Sequence, residues 1–376
     1  MKSIFEEIKR ISGHNLLSID RSNYNRFMVL TQRENRTKTA YCFGVPIYNI
    51  KTGNLVDLRF SHNKNGSFYV GSEAKVTLAD KVCFQNQYGV CELLNLGNVI
   101  KRTENIVVFE NNGQPIEAIP TLNGLMLKMK YDPSCQPKLR LRLDRIFEST
   151  RANDKYFSVM REQFIPFVTV SCLGVLNSTG YITAPCEIHY QKINDLEYAI
   201  SFSSKLKSTS IIAIEINMQE TKLFQDTTVE SNHPKVNNAF GGMAFLGDSE
   251  QCGEQWLYSR LEISNLPQLQ NKKILKTVLH IPQVGKESSI LSVHRIATRF
   301  CSFGSNWQNK IAVTNPIAES TALNRYYHLD ITELFGDLKK KSENFVIRVK
   351  DKTDKPVMIP TGDNFYTPQI LEVQYQ

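Results

Sequence analysis

The sequence predicts a mainly β protein made of two antiparallel β domains, with a short N-terminal helix ahead of the first strands. Three observations predict it. Apolar residues recur at every second position, as in Leu125, Leu127, Met129 and Tyr131 around Lys128 and Lys130, the period of a strand with one buried face. Asn65-Gly66 and Asn112-Gly113 stand between such runs, and Asn-Gly tolerates positive φ at both positions of a tight hairpin turn. At 376 residues the chain also exceeds one ordinary core, since domains cluster at roughly 100–200 residues.

Taken in order, the first element is the helix. Ser3 and Glu6 have capping-box spacing, Ile4, Ile8 and Ile11 fall on one face, and Gly13 stands where a helix would stop. Glu6, Glu7, Lys9 and Arg10 interrupt the apolar core of about 7–15 residues that a secretory signal requires. Strands are expected at 56–60, 125–131, 139–143 and 212–218, and Lys51-Thr52-Gly53-Asn54 joins two further runs. One stretch breaks the pattern. Tyr156, Met160 and Phe164 recur every fourth residue behind Asn153, which predicts a short helix ending before Pro166. Strand signals resume at 167–170, and the polar cluster 203–210 reads as a linker. The expected layout is a β-rich domain over 1–205, with a further division near 111–120 as an alternative. A linker or connecting strand follows over 206–219. A jelly-roll-like β-sandwich then spans 220–376, closing on Leu371, Val373 and Tyr375 against Glu372 and Gln374.

Composition excludes several classes. Hydrophobic residues make up 41% of the chain and aromatics 10%, values too high for disorder. A net charge of +8, from 45 Lys+Arg against 37 Asp+Glu, falls short of the clustered surplus of a nucleic-acid binder. No run of about 18 apolar residues predicts a membrane span. The eight cysteines lie at wide, irregular intervals without a Cys-x-x-Cys pair, so reduced, mostly buried thiols are expected and no zinc or redox motif.

Catalytic motifs are absent: no phosphate-binding loop, no dinucleotide fingerprint, no His-Glu-x-x-His and no nucleophile elbow. The seven histidines show no ligand spacing. Two carboxylates from distant strands could still flank a glycosidic bond, which leaves an all-β glycosidase open. Lys128, Lys130, Lys138, Arg140, Arg142 and Arg145 would crowd one face if their two strands were neighbours. That face would dock a polyanion such as an acidic polysaccharide; the competing reading is the solvated side of a sheet. Trp307, one of two tryptophans, could stack on a sugar ring or sit in the core. Asp226 offers one oxygen ligand for a structural calcium, against a plain turn-stabilising role.

From residue 220 onward, Gln225-Asp226-Thr227-Thr228-Val229, Tyr258-Ser259-Arg260-Leu261 and Val293-His294-Arg295-Ile296 follow in an order that resembles the DNRLRE-domain family, β-sandwich modules of bacterial and archaeal surface proteins related to carbohydrate-binding modules. The run 225–238, Gln225-Asp226-Thr227-Thr228-Val229 through Pro234 to Asn238, resembles the family's opening "Asp, strand, Pro, Asn". Tyr258-Ser259-Arg260-Leu261 with Leu266-Pro267 resembles its central arginine strand and exit. Val293-His294-Arg295-Ile296, Asp330-Ile331-Thr332 and Pro368-Gln369-Ile370-Leu371-Glu372-Val373 are similar to later segments, in the right order. Two positions depart from the pattern. Cys301 stands where the family has tryptophan, and Asn306-Trp307-Gln308-Asn309-Lys310-Ile311 replaces "Thr-Trp-Asn-Asn-x-Pro". The resemblance implies a sandwich, and the departures at Cys301 and Asn306–Ile311 fall where an inherited sugar-binding surface would be affected.

These readings lead to an expected function: a non-catalytic structural or surface protein carrying a carbohydrate-binding-like sandwich. It would be part of a bacterial spore, phage-like or cell-surface assembly. Expected ligand-binding residues are Trp307, Asn306, Lys128, Lys130, Arg140 and Arg142, with Asp226 as the metal candidate and no other cofactor. Expected partners are a polysaccharide or surface glycan and further copies of the chain, with neither membrane nor nucleic acid. Synthesis in the cytoplasm followed by spore, virion or surface deposition fits the charged N-terminus. Two alternatives stand beside this reading. One is a carbohydrate-active enzyme with an N-terminal catalytic domain; the other is a polymerising subunit that binds no glycan.

Overall fold

A computed structural model of the chain describes residues 3–13, 19–20, 25–32, 37–134, 136–206, 208–218, 222–296, 298–335, 342–352 and 355–376. Strands account for 53% of it and helices for 6%, which makes it mainly β as the alternation predicts. Two compact units are present. One is built from Met1–Ile47 together with Thr221–Gln376, and the other, Tyr48–Glu220, lies between those segments in sequence. The expected first domain over 1–205 is therefore corrected at its start, because the first 47 residues join the C-terminal half. Of the linker or connecting strand expected over 206–219, the strand forms: Ser210–Asn217 lies between Ile165–Leu176 and Gly124–Tyr131, at the middle of a sheet of the inserted unit.

The inserted unit consists of two antiparallel sheets. One runs in the order Ser149–Ala152, Tyr156–Glu162, Ile165–Leu176, Ser210–Asn217, Gly124–Tyr131, Gln114–Pro120, Val107–Asn111 and Asn98–Arg102, with Ile182–Ala184 paired to Ile165–Leu176. The other runs Glu187–Lys192, Glu197–Ser203, Lys138–Leu143, Gly89–Leu94, Val82–Asn86, Lys75–Leu78, Gly66–Val70 and Ser61–Asn63. Leu125, Leu127, Ile214 and Ile216 from the first share one buried cluster with Leu93, Leu141 and Ile200 from the second. Each such fully buried aliphatic side chain contributes about 1.5–3 kcal/mol through removal of apolar surface from water.

Local chemistry explains the turns. Asn111 and Gln114 are partners, so Asn112 (φ 51°) and Gly113 (φ 74°) form a two-residue turn with both residues left-handed. No seam divides the unit near 111–120, because those residues form one hairpin. At the other Asn-Gly the turn shifts by one residue. Asn63 pairs with Gly66, which puts Lys64 and Asn65 in the turn and Gly66 in the strand.

The helix expected at 153–164 is a correction. Tyr156–Glu162 is a strand paired with Ser149–Ala152 and Ile165–Leu176. Residues four apart lie on one face of a strand as well as of a helix, so the spacing of Tyr156 and Met160 cannot separate the two. Asn153 does cap backbone donors, but those of Lys155 and Tyr156 in a tight turn.

The other unit also contains two sheets. Ile370–Tyr375 lies between Lys38–Phe43 and Ile274–Pro282 in a sheet completed by Met28–Gln32, Ile19–Asp20, Tyr326–Asp330 and Ala322–Leu323. The second sheet is Pro316–Ser320, Leu291–Arg295, Glu343–Val349, Gly253–Leu261, Met243–Ser249 and Val357–Pro360, with Phe224–Glu230 paired to Gly253–Leu261. Beyond residue 221 the chain passes repeatedly from one sheet to the other, the connectivity of a jelly-roll-like sandwich. Leu371 and Val373 are buried as expected, but so is Glu372, whose carboxylate lies 3.2 Å from His280 Nε2.

The N-terminal helix, Ile4–Ser12, forms as its sequence predicts. Ser3 Oγ accepts from Glu6 N, Gly13 (φ 70°) ends it, and Ile4 and Ile8 are buried. Tyr326 ties it down by donating to Glu7 Oε1 at 2.7 Å and accepting from Arg10 Nη2 at 3.0 Å. No helix among the described residues is long and apolar enough to cross a membrane.

Candidate functional site

The expected basic face does not form. Lys128 and Lys130 lie on Gly124–Tyr131 and Arg140 and Arg142 on Lys138–Leu143, strands that belong to different sheets. Cross-strand acids also neutralise both arginines. Arg140 Nη2 is 2.5 Å from Glu197 Oε2 and Arg142 Nη2 is 2.5 Å from Glu92 Oε2, with Lys81 also bound to Glu92. Lys128 stands opposite Glu117 in register. Glu197 and Glu92 lie 57 and 50 residues from Arg140 and Arg142, beyond the reach of a local reading.

Trp307 is half-buried against Trp256, with ring centroids 5.6 Å apart. Lys310 Nζ lies 3.6 Å from the Trp307 centroid, so a cation covers the ring face that a sugar would need. Asn306 is spent locally: its Oδ1 accepts from Gln308 N and Asn309 N. Beneath this cluster, His294 is buried and neutral. Burial foremost holds its pKa down, Arg348 acting the same way, while Nδ1 donates to the Thr314 carbonyl at 2.8 Å. Cys301 is exposed.

Asp226 is fully buried, and its Oδ2 accepts from Gly362 N at 2.5 Å. Burial first, and Asp363 second, push its pKa up to about 8. Lys222 is ion-paired with Asp363. The ammonium thus already supplies positive charge beside the Asp226–Asp363 pair. Cys42, Cys91, Cys172, Cys186 and Cys252 are buried free thiols, as expected, while Cys135 lies outside the described residues.

An open groove of about 1000 Å³ lies at one end of the inserted unit. Three connections build it. Asn95 and Gly97 belong to the crossover from Gly89–Leu94 in one sheet to Asn98–Arg102 in the other. Asp132, Pro133, Ser134, Gln136 and Pro137 belong to the second crossover, from Gly124–Tyr131 to Lys138–Leu143. The tip of the Asn112-Gly113 hairpin forms the third wall. Asn111 Nδ2 donates to the Asn95 carbonyl at 2.6 Å, which fastens the hairpin to the first crossover. A Cβ at Gly97 would come within 1.9 Å of the Glu110 carbonyl oxygen, so glycine permits this close approach.

The floor is apolar, with Ile116 and Met129 buried. The rim carries exposed amides at Asn95, Asn112, Gln114 and Gln136, and exposed ammoniums at Lys130 and Lys138. Asp132 is the one carboxylate among the described lining residues. Ser134 Oγ donates to its Oδ1 at 2.6 Å and Ser134 N at 2.9 Å. These bonds, aided by Lys130, hold the Asp132 carboxyl below the usual carboxylate range, so it is ionised at neutral pH. Amides offer both donors and acceptors, and a flat apolar floor suits a ring face. Of the residues expected to bind ligand, the groove gathers only Lys130. The amides were missed because they come from three separate connections; Asn112, Gln114 and Gln136 each stand beside Gly or Pro, and Asn95 carries no such signal.

No family model matches the chain, and no curated protein matches it in sequence.

Proposed function

We propose that the protein is a non-catalytic surface or assembly component that recognises glycans, and that the groove of the inserted unit is its recognition site. The observation that carries this reading is the chemistry of the lining: four exposed amides over an apolar floor, with Asp132 as the one carboxylate. Glycoside hydrolysis by general acid and base needs a pair of carboxylates about 5–10 Å apart, and one acid does not make that pair. The sandwich of the other unit, similar in segment order to DNRLRE modules, supports a role on a surface or in an assembly, where such modules act as rigid platforms. Its Trp307 cluster serves that platform as packing.

The test is a glycan array on the full-length protein, with light scattering on the same sample. Retention of sugars without cleavage is the expected result, and particles larger than one chain would add self-assembly. Turnover of any retained polysaccharide, or binding that survives bulky substitution of Gln114 and Gln136, would overturn the proposal.

A further inference from the structure

We infer that the groove takes an oligosaccharide bearing carboxylate or sulfate groups, held by Lys130 and Lys138; the inference rests on the glycan-recognition reading. Lys130 lies near the end of one strand and Lys138 opens the next, so the two ammoniums stand at either end of the crossover that walls the groove. Arg140 and Arg142, two and four residues beyond Lys138, are each paired with a carboxylate. Among the described residues, neither Lys130 nor Lys138 has a carboxylate within ion-pair distance. The fold thus pairs Arg140 and Arg142 on the strand and leaves Lys130 and Lys138 at the groove without an ion-pair partner, with Asp132 as the one carboxylate of the described lining.

The balance of donors and acceptors points the same way. Amides match sugar hydroxyls with donors and acceptors alike, whereas an ammonium only donates. Two ammoniums against the single carboxylate of Asp132 leave an excess of one positive charge on the lining. A neutral sugar would bury that excess uncompensated; an anionic one would meet it with charge-assisted hydrogen bonds. A volume of about 1000 Å³ is at the upper end of ligand pockets, roughly 300–1,000 Å³, which suits several sugar rings better than one.

Calorimetric titration of the full chain tests this, with hexamers of galacturonate and of a sulfated glycosaminoglycan, neutral maltohexaose and cellohexaose, and poly-glutamate as a sugar-free polyanion. At least one acidic hexamer should bind about tenfold or more tightly than either neutral one. Lys130→Gln combined with Lys138→Gln should remove that preference while leaving the unfolding temperature unchanged. The carboxylated and sulfated arms then identify the anion. Equal affinity for neutral and acidic hexamers, or an unaltered preference in the double variant, would overturn the charge assignment and leave glycan recognition standing. Equal binding of poly-glutamate, or no binding of any sugar, would bring down both.

Discussion

Arg142 and Glu92 stand directly opposite each other on neighbouring strands, with Arg142 Nη2 2.5 Å from Glu92 Oε2. Lys81 binds the same carboxylate through its other oxygen. Burial alone would raise the Glu92 pKa, but the hydrogen bonds from Lys81 and Arg142 outweigh it and hold the group below its usual value. Isolated surface pairs of this kind add little stability. Their larger effect is on the field, since one carboxylate here is shared by two cations and offsets one of their two charges.

Replacing Glu92 and Glu197 by Gln should therefore unmask Lys81, Arg140 and Arg142 as a basic face. The double variant is expected to leave a heparin column at higher salt than the wild type, because more cations meet the polyanion. Its circular dichroism should be unchanged. Elution at the same salt would show that these acids do not mask the strand.

Asp226 makes stability fall as pH rises. Its folded pKa is about 8, raised by burial first and by Asp363 second, while an unfolded aspartate titrates near about 3.9. Between about pH 4 and about pH 8 the folded chain keeps a proton that the unfolded chain has lost. The stabilisation present in acid is therefore lost through that window. Asp226→Asn keeps an oxygen for Gly362 N and cannot ionise. Thermal melts should show a smaller decline from pH 5 to pH 9 in the variant, and an advantage over the wild type at pH 9 of about 1–3 kcal/mol. Parallel pH profiles for the two proteins would remove Asp226 as the cause.

Two glycines near the groove should respond differently to alanine. At Gly113 (φ 74°) nothing lies within 4 Å of the added Cβ, so only the left-handed backbone is penalised, by about 1–2 kcal/mol. At Gly97 (φ 84°) the Cβ would also meet the Glu110 carbonyl oxygen, and the cost should exceed about 4 kcal/mol. Urea unfolding of both variants decides it. Similar midpoints would mean that the first crossover yields easily.

Trp307→Ala separates packing from recognition. It removes the contact with Trp256 and the cation held over the ring by Lys310, and should destabilise by about 1–3 kcal/mol. Glycan affinity should be unchanged, because the groove lies in the other unit. A selective loss of sugar binding without loss of stability would instead move the recognition site to Trp307.

How far the sequence is legible depends on the range of the signal. Ile4, Ile8 and Gly13 announce their helix, and Asn112-Gly113 announces its hairpin, because capping and turn conformation are decided within a few residues. Tyr156 and Met160 mislead, because a spacing of four fits both faces of the argument about period. Lys130, Arg140 and Arg142 look alike in sequence. Arg140 and Arg142 acquire partners from Glu197 and Glu92, 57 and 50 residues away, while Lys130 comes to line an open groove.

By itself the sequence determined that the chain would be a mainly β protein with a capped leading helix, since side-chain period and turn preference are properties of neighbouring residues. Only the tertiary structure decided which strands became partners, that residues 1–47 complete the C-terminal sandwich, and that two crossovers and a hairpin tip enclose a groove. A strand's backbone donors and acceptors are the same whatever its sequence, so its partner is chosen by packing across the whole fold and not by the strand alone.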